Sequence, residues 1–229
     1  METICISLGG SIISRKNGIN VGYVRRLYRL LKNYKNTSKF VIVVGGGYTS
    51  KLYVQSSKQI IKNNLILDEI AISITRINAM ILKDMLSELN VYPNIVTDLD
   101  ELRAASHNSG IVVMGGLLPG ISTDSVTVLA CEVVNSKTLI NVSTEAYVYD
   151  RHPSEPGARR LEYLTHDQLI KLASRLDPRE ARSNFIFDLV ASKLAKRSNI
   201  EIRFVNDKMD ELRFAIEGKH HRGSTVKRV

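Results

Sequence analysis

Short apolar runs alternate along the chain with longer segments whose apolar positions recur every three to four residues. The runs at 3–8, 39–44, 110–114, 137–142 and 200–205 read as strands, with another near 92–96 and a terminal one at Thr225-Val226. The helical pattern covers about 21–34, 49–63, 67–89, a short piece from Asp98, 123–134, 165–175, 185–197 and 208–217. Strands that alternate with helices predict βαβ crossovers. The expected fold class is therefore α/β, with a mainly parallel sheet and helices on both faces. Residues 147–149, followed by His152-Pro153 and Pro156-Gly157, break the pattern and predict short extended pieces and turns. No repeat or low-complexity segment interrupts it.

The segment 67–89 is unusually apolar. Ile70, Ile74, Ile77, Ile81 and Met85 form one stripe, while Ile72, Ala79, Met80, Leu82 and Leu86 load other faces. A helix apolar on several faces is covered on several faces, so it lies either at the centre of the core or in a subunit interface. Asp68 and Arg76 are its charged exceptions.

Three of the strand runs end in glycine clusters: Gly9-Gly10 after 4–8, Gly45-Gly46-Gly47 after 41–44, and Gly115-Gly116 after 111–114. The third continues into Leu117-Leu118-Pro119-Gly120-Ile121-Ser122-Thr123-Asp124 and then a helical pattern. Glycine lets backbone approach a ligand closely, and a helix start favours an anion. Three such junctions point to a phosphate-rich ligand across the strand ends.

Composition narrows the picture. The 229 residues, 44% hydrophobic, can bury one large domain, or one domain with a lobe. No run reaches the roughly 18 apolar residues of a membrane span, and the start lacks a signal-peptide layout, so the expectation is a cytoplasmic protein with no membrane partner. Cys5 and Cys131 stand in apolar runs without metal spacing, which predicts buried reduced thiols and no protein-held metal. The net charge is +9, but the positive residues are spread along the sequence, aromatics are 6% and no aromatic-basic stripe occurs, so no nucleic-acid partner is expected. His220-His221 reads as a solvated loop pair.

Neither GxxxxGK[ST] nor GxGxxG occurs. What the chain resembles is the amino acid kinase family and, within it, the archaeal-type uridylate (UMP) kinases. The resemblance rests on Ser7-Leu8-Gly9-Gly10-Ser11, on Val43-Val44-Gly45-Gly46-Gly47 with Lys51, and on Thr75-Arg76-Ile77-Asn78-Ala79. It continues through Val113-Met114-Gly115-Gly116, Pro119-Gly120, Ser122-Thr123-Asp124, Val148-Tyr149-Asp150, Phe187-Asp188-Leu189-Val190-Ala191 and Gly223-Ser224-Thr225-Val226. It covers nearly the whole chain as one domain. It implies a three-layer α/β/α sandwich, residues 1–136 mainly for the acceptor UMP and 137–229 mainly for the donor ATP. It also implies a homohexamer built as a trimer of dimers, and transfer of the γ-phosphoryl group of ATP to UMP with Mg²⁺. Both reactants are anions, so holding them in line and offsetting charge is the main task.

The resemblance implies roles residue by residue. Gly9 and Gly10 would offer free backbone N–H groups to the transferring phosphoryl, with Lys51 as the cation at the donor phosphates. Gly46 and Gly47 would approach acceptor and donor phosphates from a second side. Asp68 is expected to accept from the acceptor nucleotide, or else to serve the helix dipole. Arg76 is costly unpaired in an apolar helix, so a phosphate or an internal carboxylate must answer it. Leu117, Leu118, Pro119, Gly120, Ile121, Ser122 and Thr123 would wrap the acceptor, although hydroxyls at 122 and 123 also suit an N-cap.

Several positions depart from the family pattern. Leu117 and Ile121 stand where threonine and histidine are common, so some hydrogen bonds to the nucleotide are lost or move to backbone. On the donor side Ser143, Thr144, Tyr149 and His152 remain candidates, but Thr144 replaces an asparagine, Glu145 adds negative charge and Ala146-Tyr147 replaces an Asp-Gly turn. Ser7 stands where most members carry a lysine. The offsetting cation is then Lys51, Mg²⁺, Arg182 or Lys193. Residues 155–160 are either a flap over ATP or a surface turn. Two other readings stay open: a catalytically weak UMP or UTP binder, and a family kinase with a carboxylate or carbamate acceptor.

Overall fold

The apolar run Glu2–Leu8 is a strand (β1) whose side chains divide by parity. Ile4, Ile6 and Leu8 enter one buried layer, while Cys5 enters the other. The structure, a computed structural model, describes residues 1–153, 155–175 and 187–227. After β1 come α1 (Gly10–Ile13), β2 (Ser14–Arg15), β3 (Gly18–Ile19), α2 (Val21–Lys32), β4 (Ser38–Val44), α3 (Gly47–Ser57) and α4 (Asn64–Met85). Then follow α5 (Leu99–Asn108), β5 (Ile111–Met114), α6 (Thr123–Val133), β6 (Thr138–Val142), β7 (Val148–Tyr149), β8 (Arg160–Leu161) and β9 (Tyr163–Leu164). The chain closes with α7 (His166–Arg175), α8 (Leu189–Arg197), β10 (Glu201–Val205), α9 (Met209–Ile216) and β11 (Thr225–Val226).

Among the described residues the main sheet has seven strands in the order β5-β4-β1-β6-β10-β11-β9. Its first five strands are parallel, and β11 runs antiparallel to β10. β1 pairs with both β4 and β6, so strands from before and after residue 137 form two adjoining blocks. One face is covered by α2, α4 and α9 through residues such as Leu27, Leu82 and Leu212, the other by α5, α6, α7 and α8 through Leu102, Val126, Leu169 and Ala191. This is the expected α/β/α sandwich. All three glycine junctions lie at the carboxyl edge of the parallel block.

The expected strand near 92–96 is reduced to two isolated bridges, Val91 to Ile111 and Val96 to Met114. Pro93 has no N–H to donate, so a continuous ladder cannot form between them. The helix expected over 49–63 ends at Ser57, because Asn63 turns the chain and caps α4 by accepting from Leu65 N. α1 and the β2–β3 hairpin, two to four residues each, are too short to show a period. Residues 185 and 186 of an expected helix lie outside the described residues, as does Arg182. Cys5 and Cys131 are buried as expected, and burial raises the Cys131 thiol well above its ordinary range. His220 is exposed, but His221 is not the solvated residue expected. It is buried, and burial lowers its pKa.

Candidate active site

α4 organises the side expected to take the acceptor. A buried polar group must find a partner, and the three inside this apolar helix find theirs on the glycine loops. Asn78 donates to the carbonyls of Gly45 and Gly46, at 2.9 and 3.1 Å. Thr75 Oγ1 accepts from Gly116 N at 2.7 Å. Arg76 donates from Nε to Gly116 O at 3.2 Å and from Nη2 to Leu117 O at 3.4 Å. No carboxylate pairs with Arg76 among the described residues, so the internal-carboxylate alternative falls. Two neutral carbonyls hold the guanidinium beside the loop, and its Nη1 has no partner among the described residues.

Asp68 accepts from Gly120 N at 2.8 Å and lies past the first turn of α4, which Asn63 caps. The helix-dipole alternative is therefore set aside. Gly120, at φ +77, makes the turn that presents its N–H. Leu118 is exposed, Pro119 is half-buried, and Leu117 and Ile121 pack against the apolar layer under α5 and α6. Where hydroxyl and imidazole are common in the family, this loop is anchored by greasy side chains and offers backbone.

The first two glycine junctions interlock. Gly10 and Gly47 approach so closely that a Cβ on Gly10 would lie 2.0 Å from Gly47 N. The expectation that both N–H groups of the first junction are free is corrected. Gly9 N donates to Val142 O at 2.8 Å and extends the β1–β6 ladder, which leaves only Gly10. Lys51, on the first turns of α3, is exposed and has no partner among the described residues, and the same holds for Lys193 on α8.

Beneath these junctions lies a polar knot in which residues named from the sequence, Ser7, Ser122, Asp124 and Asp188, join Asn141 and Ser125, which sequence reasoning missed. Ser7 Oγ donates to Asp124 Oδ1 at 2.7 Å, and Asn141 Nδ2 donates to the same oxygen at 2.8 Å. Ser122 caps α6 by accepting from Ser125 N, and its hydroxyl donates to Asp188. Asp188 in turn caps α8 through Ala191 N at 2.9 Å and accepts from Ser125 Oγ. Thr123, next to Ser122, keeps its hydroxyl without a partner among the described residues. The readable signal was a polar residue within each buried strand: Ser7 in β1 and Asn141 in β6.

Burial pushes the half-buried Asp124 carboxyl up to about 7; the Ser7 hydrogen bond opposes that and the nearby Asp188 charge adds to it. Because the folded pKa is raised, the folded chain holds this proton more tightly than the unfolded chain between about pH 4 and pH 7. Stability contributed by the proton is present at low pH and lost as pH rises through 7. Asp124→Asn is therefore expected to gain about 2 kcal/mol over the native chain between pH 5 and pH 8, the linkage figure being reduced for partial solvent contact. Urea denaturation at four pH values reads the difference, and parallel curves for the two proteins would refute this origin of the pH dependence.

On the side expected to take the donor, Ser143 N donates to Val205 O, and Ser143 Oγ accepts from Glu145 N, folding the segment into a local turn. Thr144 and Glu145 are exposed. Ala146 and Val148 are tied to Ser224, Ser224 N donating to Ala146 O and Val148 N to Ser224 Oγ. Tyr149 accepts at its hydroxyl from Arg160 Nε at 3.1 Å, and the same guanidinium lies over the Tyr147 ring, 4.8 Å from its centroid. The segment after Tyr149 is a β7–β8 hairpin closed by Asp150 and Arg159, with His152 in its turn.

The chain's relatives share this arrangement in length and fold. The model of the amino acid kinase family matches residues 2–206. The uridylate kinase of Thermoplasma volcanium is 35% identical over 219 residues, covering 95% of this chain and 94% of the relative. That of Thermococcus kodakarensis is 31% identical, with 95% and 96% covered. The crystal structure of uridylate kinase from Archaeoglobus fulgidus superposes with a TM-score of 0.85 at 27% identity, over 99% of this chain and all of the other. With the glycine loops, the α4 anchors and the parallel sheet all in place, the chain belongs to the amino acid kinase family.

Proposed function

We propose that this chain is a UMP kinase that transfers the γ-phosphoryl group of ATP to UMP. The observation that carries the reading is Arg76: a guanidinium, half-buried, tied among the described residues only to two carbonyls of the loop that Asp68 also holds. A planar fork so placed suits a phosphate dianion. It gives a carboxylate or carbamate acceptor less reason to be there. The curated uridylate kinases that match nearly end to end support the same substrate.

In this reading the strands β5, β4 and β1 carry the acceptor half and β6, β10 and β11 the donor half. Gly46, Asp68, Arg76 and the loop of residues 117–123 face UMP, while Gly10, Gly47, Lys51, Ser143, Thr144, Tyr149 and His152 serve ATP. No cluster of three or more His, Cys, Asp or Glu exists among the described residues. In this reading Mg²⁺ is carried on nucleotide oxygens, and Asp124, held by Ser7 and Asn141 below the first junction, is the carboxylate that would face it. The bound ion would supply charge neutralisation at the phosphates. Among the described residues no helix is long and apolar enough to cross a membrane, which is compatible with work in the cytoplasm.

The outer side of α4 supports a homo-oligomer. Ile77 and Met80 are 48% and 49% exposed, and Leu52 and Tyr53 of the adjoining α3 are 46% and 54% exposed. α3 buries no residue of its own within the chain. Such a patch is larger than isolated surface apolars explain. The double change Ile77→Glu and Met80→Glu is expected to lower the assembly mass in analytical ultracentrifugation to that of a smaller subassembly. An unchanged assembly mass would place the subunit contact elsewhere.

The reading is tested by coupled phosphoryl transfer from ATP with Mg²⁺ to UMP, CMP, AMP, GMP, aspartate, N-acetylglutamate and carbamate. UMP turning over above the rest supports it. No turnover of any acceptor, with UMP still raising the melting temperature, would identify the UMP-binding alternative that the altered 144–147 segment suggests.

A further inference from the structure

The positive charge of this chain is concentrated rather than spread. Residues 3–67 hold 11 of the 32 Lys and Arg and none of the 23 Asp and Glu, which leaves 21 cations against 23 anions elsewhere. The fold gathers five of the 11 on one surface: Arg25, Arg26, Arg29 and Lys32 on α2 and Lys35 just beyond it, all exposed. None of the five makes an ion pair among the described residues. Arg25, Arg29 and Lys32 follow one another at i, i+4 and i+7, a single ridge with about 6 Å between successive positions. The opposite face of the helix, with Tyr23, Val24, Leu27, Leu30 and Leu31, is buried, so the ridge is rigidly mounted.

The carboxylates that flank α2 already have partners. On α4 and the turn after it, Asp84 pairs with Lys83 and Glu88 accepts from the Tyr28 hydroxyl. On α9 and the residues after it, Asp210 pairs with Arg213, and Glu217 takes both Tyr34 and Lys219. Cations in a last turn also favour the helix dipole, which accounts in part for Arg29 and Lys32 but not for Arg25, Arg26 or Lys35.

We infer that the exposed face of α2 binds the sugar-phosphate backbone of a nucleic-acid duplex, without reading sequence. Evenly spaced cations on a rigid helix complement evenly spaced phosphates. The sequence expectation of no nucleic-acid partner rested on cations spread along the sequence and on missing stacking residues. Stacking serves single strands, whereas backbone contact to a duplex needs only charge. A membrane surface is less well matched, since Val21 is the one large apolar residue exposed on α2 and an interfacial helix needs a broad apolar face.

The test is fluorescence anisotropy of the full chain with labelled 20-base-pair DNA and RNA duplexes, which distinguish the two sources of the same backbone. Binding should be measurable at 50 mM salt. It should weaken by about 40-fold or more at 200 mM if three or more phosphates are contacted. The triple variant Arg25→Glu, Arg26→Glu, Arg29→Glu should lose at least tenfold affinity at 50 mM and keep wild-type phosphoryl transfer. Single changes Arg26→Gln and Arg29→Gln, each expected to lower affinity in smaller steps, serve if the triple variant does not fold. No binding at 50 mM, binding that the variants leave unchanged, or binding to phosphatidylserine vesicles but not to either duplex would overturn the inference.

Discussion

Replacing Arg76 by Ala is expected to lower kcat/KM for UMP by about 10²–10³-fold, which at about 1.4 kcal/mol per factor of ten is roughly 3–4 kcal/mol. The loss should fall mainly on KM for UMP and leave KM for ATP within about twofold, because the guanidinium lies on α4 against the loop proposed to hold the acceptor. Arg76 now spends Nε and Nη2 on the carbonyls of Gly116 and Leu117. Those bonds are at the long end of the range, and a phosphate dianion is a stronger acceptor than a carbonyl. Arg76→Lys keeps the charge but not the fork, so it should recover only part of the loss. Steady-state kinetics with each nucleotide varied in turn decides the matter. An alanine variant whose KM for UMP is unchanged would remove Arg76 from the acceptor site and revive the carboxylate-acceptor reading.

The order of strands and helices was legible because each core strand is a continuous apolar run and each long helix shows its period. The glycine junctions were legible because their position relative to those runs places them at one edge of the sheet. The partners of the buried polar groups were not. Thr75, Arg76 and Asn78 stand out in an apolar helix, but which loop answers each depends on the crossing of α4 over two junctions that are 70 residues apart in sequence. The expected free N–H of Gly9 failed for a related reason. A strand end adjoining β6 continues its ladder if geometry allows, and one more ladder bond outweighs an unsatisfied donor. Ser7 looked like a missing lysine. In the fold it is a hydrogen-bond donor to Asp124, and together with Asn141 it supplies neutral donors where a cation is usual in the family. Of the two alternatives for the 67–89 segment, the core one holds for Ile74, Ala79 and Leu82, while Ile77 and Met80 face outward, where the proposed subunit contact would lie.

Gly10→Ala is expected to give no measurable phosphoryl transfer and to cost more than about 3 kcal/mol of stability, at the upper end of single-residue effects. Its Cβ would lie 2.0 Å from Gly47 N, 2.6 Å from Gly45 C and 2.7 Å from Gly46 N, and all three are backbone atoms that cannot rotate away. Gly47 cannot yield either, since it holds φ +65 and a Cβ on it would meet Gly10 O at 2.2 Å. Separating the two loops would also pull Gly45 and Gly46 from Asn78, so the damage reaches the acceptor side through α4. Gly22→Ala is the matched control. It lies on α2, where the nearest atom to an added Cβ is the end of the Arg26 side chain at 3.6 Å, and helix propensity favours alanine there. Urea denaturation and the coupled assay on both variants give the comparison. An active Gly10→Ala protein with near-native stability would mean that the two glycine loops are not locked against each other. The close backbone approach would then lose its claim as the reason for both junctions.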